Sequence, residues 1–376
     1  MPLRALAEVN LGAIERNVTL LRSKLGPGGR LCAVVKADGY GHGAVPVARA
    51  ALAAGAQHLA VATAIEALEL SEAGLTAPVL ILGAISSDEL PTALAARAEV
   101  TAWDQRFVDE LAAAAAARGE STPVHVKLDT GLGRLGTRDP DVALSVAQAI
   151  HDASPALVLA GAMTHFATAD GDLEFASEQL RRFAPFVARL RAMAPELVAH
   201  AANSAATLRL PESHLDMVRC GIAVYGADPM NEDPLGLGLE PAMTLCSYVA
   251  AVKRAAPGQS AGYGRQFIAS RPTWLGTLPI GYGDGVSRAL TNNCDVLIGG
   301  RRYPLVGTVS MDNITVDLGD TPTVAVGEVA TLMGVDASER QTAEQIAHRL
   351  GTISYEVLVA VSRRVPRRYH RDGSPV

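Results

Sequence analysis

Aromatic residues make up only 4% of the 376-residue chain, and charged residues only 19%. With 49% hydrophobic residues the chain is not disordered, because it has ample apolar surface to offset the entropy of ordering. The scarcity of Phe, Trp and Tyr leaves a core of Ala, Val and Leu, side chains that suit helices laid over sheets. No positive charge is in surplus: 33 Lys and Arg stand against 39 Asp and Glu, for a net charge of −6. That argues against nucleic acid as the main partner. The densest basic run, Arg363-Arg364-Val365-Pro366-Arg367-Arg368, reads as a solvated tail. No apolar run reaches the roughly 20 residues of a membrane helix, so no membrane is expected as partner. The four cysteines, Cys32, Cys220, Cys246 and Cys294, form no Cys-x-x-Cys pair. Neither a metal site nor a redox motif is therefore expected. Glu8 and Asn10 interrupt any signal-peptide core, and with free thiols this predicts a cytoplasmic protein.

Short β-branched runs alternate with Ala/Leu-rich stretches over the first 230 residues. Strands are predicted at Leu31–Val35, His58–Ala62, Val79–Leu82, Val100–Trp103, Val124–Leu128, Leu157–Thr164, Leu197–Ala201 and Met217–Tyr225. Helical patterns lie between them at Ala44–Ala54, Ala64–Ala73, Gln105–Arg118, Asp141–Asp152 and Glu174–Met193. Such alternation means a parallel sheet with helices outside. Eight units have the size of a (β/α)8 barrel of TIM type; a doubly wound open sheet is the competing reading. After Leu239-Glu240-Pro241 the texture changes to strands at Thr244–Ala251, Thr273–Leu278, Asp295–Ile298, Leu305–Val309, Ile314–Leu318 and Val329–Met333. One helix is predicted there, Thr342–Leu350, capped by Thr342 and Gly351. The fold class is thus α/β: a barrel domain over 1–240 followed by a mainly antiparallel β domain over 241–376. Pro229–Pro241 reads as the linker, and the first ten or so residues are a candidate addition to the β domain.

The sharpest feature is Ala33-Val34-Val35-Lys36-Ala37-Asp38-Gly39-Tyr40-Gly41-His42-Gly43. A buried strand ends in a lysine and opens into a Gly-rich turn. Barrel chemistry happens at that end of a strand. Desolvation there lowers a lysine's pKa and makes it a nucleophile. Other polar residues recur at equivalent positions: Lys127, Asp129 and Arg134 after the fifth strand, His165 after the sixth, Asn203 and Ser204 after the seventh, Arg219 and Gly221 in the eighth. Each has a bland alternative. His165 could be a core histidine, Arg219 half of an ion pair, Asn203-Ser204 a helix cap. Several of them at one barrel face favour a shared pocket.

On these segments, together with Lys127–Gly136, Gly262-Tyr263-Gly264-Arg265 and Ser310-Met311-Asp312, the chain resembles the alanine racemase family over nearly its whole length. The resemblance implies a pyridoxal 5'-phosphate (PLP) enzyme that interconverts L- and D-alanine for peptidoglycan, working as a homodimer with shared sites. It implies that Lys36 holds PLP covalently and is one base, and that Tyr263 is the other. An ordinary tyrosine has a pKa of about 10, so a cationic network through His165 and Arg219 would have to assist it. Arg219 would face the pyridine nitrogen. Ser204, the backbone of Gly221 and Ile222, and the phenols of Tyr40 and Tyr355 would hold the phosphate. Arg134 would bind the substrate carboxylate and the cofactor's phenolic oxygen, with help from the Met311 backbone. Asn203 would support the cofactor from behind. Lys127 matches a position that is often a carbamylated lysine. Family members often carry arginine where Thr308 stands here, which leaves Tyr282, Arg288 and Asp170 as candidate gate residues. A PLP carrier without turnover would lack the second domain and Tyr263. A decarboxylase on this architecture would need a catalytic cysteine, and Cys294 sits in no such pattern.

Overall fold

The computed structural model describes residues 3–321 and 323–376. They form two compact units. One holds residues 15–39 and 44–224; the other holds residues 3–14 and 40–43 and everything described from Tyr225 onward. Strand β1 (Leu6–Asn10) belongs to the second unit.

The first unit is a ring of eight parallel strands: β2 (Arg30–Val34), β3 (His58–Val61), β4 (Val79–Ile81), β5 (Glu99–Ala102), β6 (Thr122–Lys127), β7 (Leu157–Met163), β8 (Val198–His200) and β9 (Met217–Cys220). They pair in chain order, and β9 pairs with β2 in the register Arg30↔Met217. Between β8 and β9 two backbone bonds, Asp216 N to Ala199 O (3.1 Å) and Arg219 N to Ala202 O (2.9 Å), nearly close the ring. All eight expected strands are present, and the closure decides against an open sheet. The strands carry Leu, Val, Ile and Ala that are buried, as a sheet covered on both faces requires.

Helix ends follow local chemistry. The Gln105–Arg118 helix starts where the Asp104 side chain accepts from Phe107 N and stops at left-handed Gly119. Helices at Leu11–Ser23 and Leu90–Ala95 were not marked by the alternation. The predicted eighth strand ends early, because Ile222–Tyr225 turns into a 3-10 helix.

The second unit contains β10 (Met243–Tyr248), β11 (Ala251–Ala255), β12 (Ser260–Ala261), β13 (Phe267–Ile268), β14 (Thr273–Leu278), β15 (Asp295–Ile298), β16 (Arg301–Pro304), β17 (Ile314–Gly319), β18 (Val329–Asp336), β19 (Glu339–Gln341), β20 (Arg367–Arg371) and β21 (Ser374–Pro375). The main sheet runs β16-β15-β18-β10-β1-β20-β21, and a second runs β11-β14-β17. Pairing is antiparallel except between β1 and β20. The Ala343–Leu350 helix has the expected Thr342 and Gly351 caps.

Three readings are corrected here. The segment Thr244–Ala251 is not one strand: it covers β10 but for Met243, breaks at Val249 and Ala250, and ends on the first residue of β11. Leu305–Val309 is no strand: only Leu305 makes a bridge, to Val316. The basic run Arg363–Arg368 is no solvated tail. Arg364 pairs with Asp284 and Asp312, Val365 is fully buried, and Arg367 begins β20 and donates to Gly41 O. Arg363, Arg364 and Arg368 stay exposed, but pairing with β1 and with the buried Asp284 carboxylate fixes the segment, which charge density alone does not reveal.

Candidate active site

The carboxyl ends of the barrel strands gather the predicted polar residues of the first unit. Lys36 stands two residues beyond β2. The chain then turns left-handed: Ala37, Asp38, Gly39 and Tyr40 all have φ between 51° and 59°. A single non-glycine residue in that region costs roughly 1–2 kcal/mol, so the turn needs anchors. Glu66 supplies one, accepting from Ala37 N at 2.6 Å. Val35 O takes Gly39 N at 2.9 Å, and Asp38 Oδ1 takes Ala44 N at 3.0 Å. The other oxygen of Glu66 accepts from Ala62 N and Thr63 N in a capping box. Glu66 therefore ties the start of one helix to the turn that follows Lys36. The sequence shows it only as Thr63-x-x-Glu66, a cap signal whose second duty is invisible.

Lys36 is half-buried, and burial, reinforced by Arg134, lowers its pKa from the ordinary value. Lys127 closes β6 and is 3% exposed. Burial first, then Arg219 and Arg134, push its pKa down to about 8. Gly136 lets the following loop fold back over it. A Cβ at this residue, with φ of 104°, would lie 3.1 Å from Lys127 Cγ and from Lys127 O. Asp129 holds that loop, accepting from Gly131 N, Gly133 N and Arg138 Nε. Arg134 is exposed at its tip.

Arg219 is 3% exposed, and burial pushes its pKa down to about 10, so it stays cationic at neutral pH. It donates to His200 Nδ1, His165 Nδ1, Thr164 O and Ala201 O at 2.7 to 3.1 Å. Burial, then Arg219, hold His165 well below its ordinary value. The expected cationic network is therefore carried by Arg219 alone, with His165 neutral beside it. Asn203 is the N-cap of Ser204–Arg209 and accepts from Ala206 N, so the bland reading of this residue is also its structural role. Ser204 is buried, and its Oγ accepts from Gly221 N (3.0 Å) and Ala223 N (3.3 Å), with Ile222 between them.

The second unit carries the rest. Tyr263 sits at the tip of the β12–β13 hairpin, 73% exposed, between Gly262 and Gly264 at φ of 73° and 67°. Thr308 Oγ1 donates to Tyr263 O at 2.6 Å, which replaces any channel charge at that position with a brace on the tyrosine's own backbone. Met311 is 51% exposed, and its carbonyl accepts from Gly283 N. Arg364 bridges Asp284 and Asp312 and so ties together the loops bearing Tyr282 and Met311. Tyr40 stacks on Tyr225 at 4.8 Å and lies 6.2 Å from Tyr355, ring centre to ring centre. Of the gate candidates, Tyr282 and Arg288 belong to this unit and Asp170 to the barrel.

The barrel mouth thus sets Lys36, Lys127, Arg134 and Arg219 around a site where Glu66 is spent on backbone and Asp129 on backbone and Arg138. It is built for an anionic molecule and offers a primary amine with a lowered pKa. A barrel of this kind followed by a β-sheet unit defines a class of two-domain enzymes, and comparison with known proteins narrows it. The description "Alanine racemase, N-terminal domain" matches residues 9–229, and "Alanine racemase, C-terminal domain" matches 242–369. The chain belongs to the alanine racemase family. It is 41% identical to an alanine racemase of Caldanaerobacter subterraneus subsp. tengcongensis, over 97% of this chain and 95% of the relative. It is 44% identical to one from Mycobacterium avium, over 96% and 94%. The crystal structure of the alanine racemase from Streptomyces lavendulae superposes with a TM-score of 0.93 at 39% identity, covering 98% of both chains. That of Bacillus anthracis with bound L-Ala-P gives 0.92 at 35%, covering 100% and 97%.

Proposed function

We propose that this chain interconverts L- and D-alanine with PLP as cofactor, as a cytoplasmic homodimer whose D-alanine feeds peptidoglycan. The observation that carries the reading is Lys36, an amine of lowered pKa at the mouth of a barrel ringed by cations. The donor set fits the cofactor: an amine for its aldehyde, Ser204 with the backbone of Gly221 and Ile222 for its phosphate, and Arg219 for its ring nitrogen. Tyr40 and Tyr355 add phenols to the phosphate, and Asn203 backs the cofactor. When bound, PLP withdraws electron density from the substrate Cα–H bond. Lys36 takes or returns the Cα proton on one face, and Tyr263 does so on the other. Arg219 can only donate, so it leaves the ring nitrogen without a proton of its own. Arg134, with the Met311 backbone, holds the substrate carboxylate. The test is PLP-loaded protein incubated with L-alanine, followed by chiral chromatography. Equal amounts of the two enantiomers are expected at equilibrium. A PLP-bearing protein that leaves L-alanine untouched is a carrier instead.

Lys127 is proposed to be carbamylated: its neutral amine adds CO2 and releases a proton, turning a cation into an anion beside Arg134 and Arg219. A pKa of about 8 makes the neutral amine abundant at physiological pH. With 13C-bicarbonate, a carbamate resonance is expected that Lys127→Arg abolishes. Stability supplies an independent check. Left as a free amine, Lys127 binds fewer protons folded than unfolded between pH 8 and its ordinary 10.5, so stability would rise with pH across that window. The carbamylated protein is expected to show no such rise.

A further inference from the structure

The barrel interior holds a row of polar side chains that leads to Arg219 and, short of it, has no part in the proposed chemistry. Glu99 opens β5 and His58 opens β3, so both lie at the end of the barrel opposite Lys36. His125 lies within β6, His200 ends β8, and Arg219 lies in β9. Glu99 Oε2 is 3.0 Å from His125 Nε2, His125 Nδ1 is 2.8 Å from His200 Nε2, and His200 Nδ1 is 2.7 Å from Arg219 Nη1. His125, His200 and Arg219 are all buried. The row has been given space. Gly161 stands opposite His125 across a register shift between β6 and β7, and a Cβ there would lie 2.0 Å from His125 Nδ1.

Every hydrogen in this row has one allowed place. Guanidinium only donates, so His200 Nδ1 accepts. A neutral His200 then carries its hydrogen on Nε2 and donates it to His125 Nδ1. His125 in turn carries its hydrogen on Nε2 and donates it to Glu99. A cationic imidazole at either position would set one N–H against another. Burial, then Arg219, hold His200 well below its ordinary value, in agreement. Burial works against ionisation of Glu99, yet His125, His58 and Arg30 together hold it below the usual carboxylate value. The row therefore runs from a buried cation to a carboxylate. Its far end matters because the direct acceptors of Arg219 are two neutral imidazoles and two carbonyls, so none of its hydrogen-bond partners carries a charge and only the row ends in one.

We propose that Glu99 is a counter-charge of Arg219, delivered by hydrogen bonds through His125 and His200 and additional to the Lys127 carbamate, and that it is a positioning residue which weakens the hydrogen bond Arg219 gives to the ring nitrogen. The last step rests on the PLP racemase reading; the row itself does not. Each bond polarises the next toward Glu99. Arg219 is left a poorer donor on its cofactor side. A poor donor there keeps charge on the substrate Cα, where the proton belongs. A strong donor favours the competing outcome: the amino group of alanine passes to the cofactor, Cα loses two electrons and becomes the ketone of pyruvate, and the PLP aldehyde carbon gains them.

The experiment has two arms. In 15N-histidine-labelled wild-type protein at neutral pH, His125 and His200 are both expected as Nε2–H tautomers. Glu99→Gln keeps an acceptor oxygen but removes the charge, and pyruvate released per D-alanine formed is expected to rise about tenfold. A shift of the bound PLP absorbance should accompany it. Glu99→Asp, which keeps the charge, should fall nearer to wild type. A cationic or Nδ1–H His200 in the wild type overturns the proposal without recourse to any variant. So does a Glu99→Gln enzyme that partitions like wild type. Wild-type protein with the stated tautomers but no D-alanine formation would instead remove the racemase reading and leave the Glu99–Arg219 row standing.

Discussion

Lys36→Ala will reduce alanine racemisation by at least about ten-thousand-fold, because in the proposed roles of Lys36 it removes a general base and the amine that holds the cofactor in one step. Thermal stability should move the other way or not at all. Lys36 is half-buried, and its charged form is disfavoured by burial and by Arg134. The folded protein therefore gains nothing from that charge. The turn that follows is anchored by backbone bonds from Ala37, Gly39 and Ala44, none of which uses the Lys36 side chain. A lysine kept against its local interest is the pattern expected where stability has been traded for activity. The measurement pairs chiral analysis with a melting curve on the same preparation. A variant as stable as wild type that still racemises alanine at more than a hundredth of the wild-type rate would show that Lys36 is not the base. A variant that loses both stability and activity would mean that Lys36 supports the fold, and that the loss of activity says little about chemistry.

The barrel was legible because its signal is repeated. Each strand from Arg30–Val34 to Met217–Cys220 is a short apolar run bounded by helical pattern, and eight such signals reinforce one another. The polar residues at strand ends were legible for the same reason: the fold says where to look. What escaped has two physical origins. Strand β1 and strand β20 find each other across almost the entire chain, and no local pattern announces such a pairing. A basic run such as Arg363–Arg368 looks solvated until its partner Asp284, fully buried, is placed beside it. The second origin is double duty. Glu66 reads as a helix cap and also pins the turn after Lys36. His125 and His200 stand in separate strands with nothing local to join them, and they make a continuous row only once the ring closes. Thr308, read as a missing arginine, is a brace on the Tyr263 backbone.

Mixing two crippled chains should restore activity. Lys36 lies at the mouth of the barrel unit, whereas Tyr263 is 73% exposed on a hairpin tip of the other unit. A side chain so exposed contributes nothing to its own core, and a phenol held out by two glycines is suited to serving another molecule. We propose that each Tyr263 completes the site of its partner in the homodimer. Lys36→Ala and Tyr263→Phe chains, each nearly inactive alone, are mixed equally and allowed to exchange subunits. Random pairing makes half of the dimers hybrids. In each hybrid one site carries both lesions, while the other joins the intact Lys36 of one chain to the intact Tyr263 of its partner. The mixture should therefore recover about a quarter of wild-type activity, given two-fold symmetric dimers. Were both residues drawn from one chain, every site would keep one lesion, and mixing would restore nothing. Differently tagged chains, co-purified to verify exchange, make the two outcomes separable. Recovery near a quarter assigns the tyrosine to the partner. Its absence in verified hybrids assigns Tyr263 to the same chain as the Lys36 it serves, and leaves the racemase chemistry itself untouched.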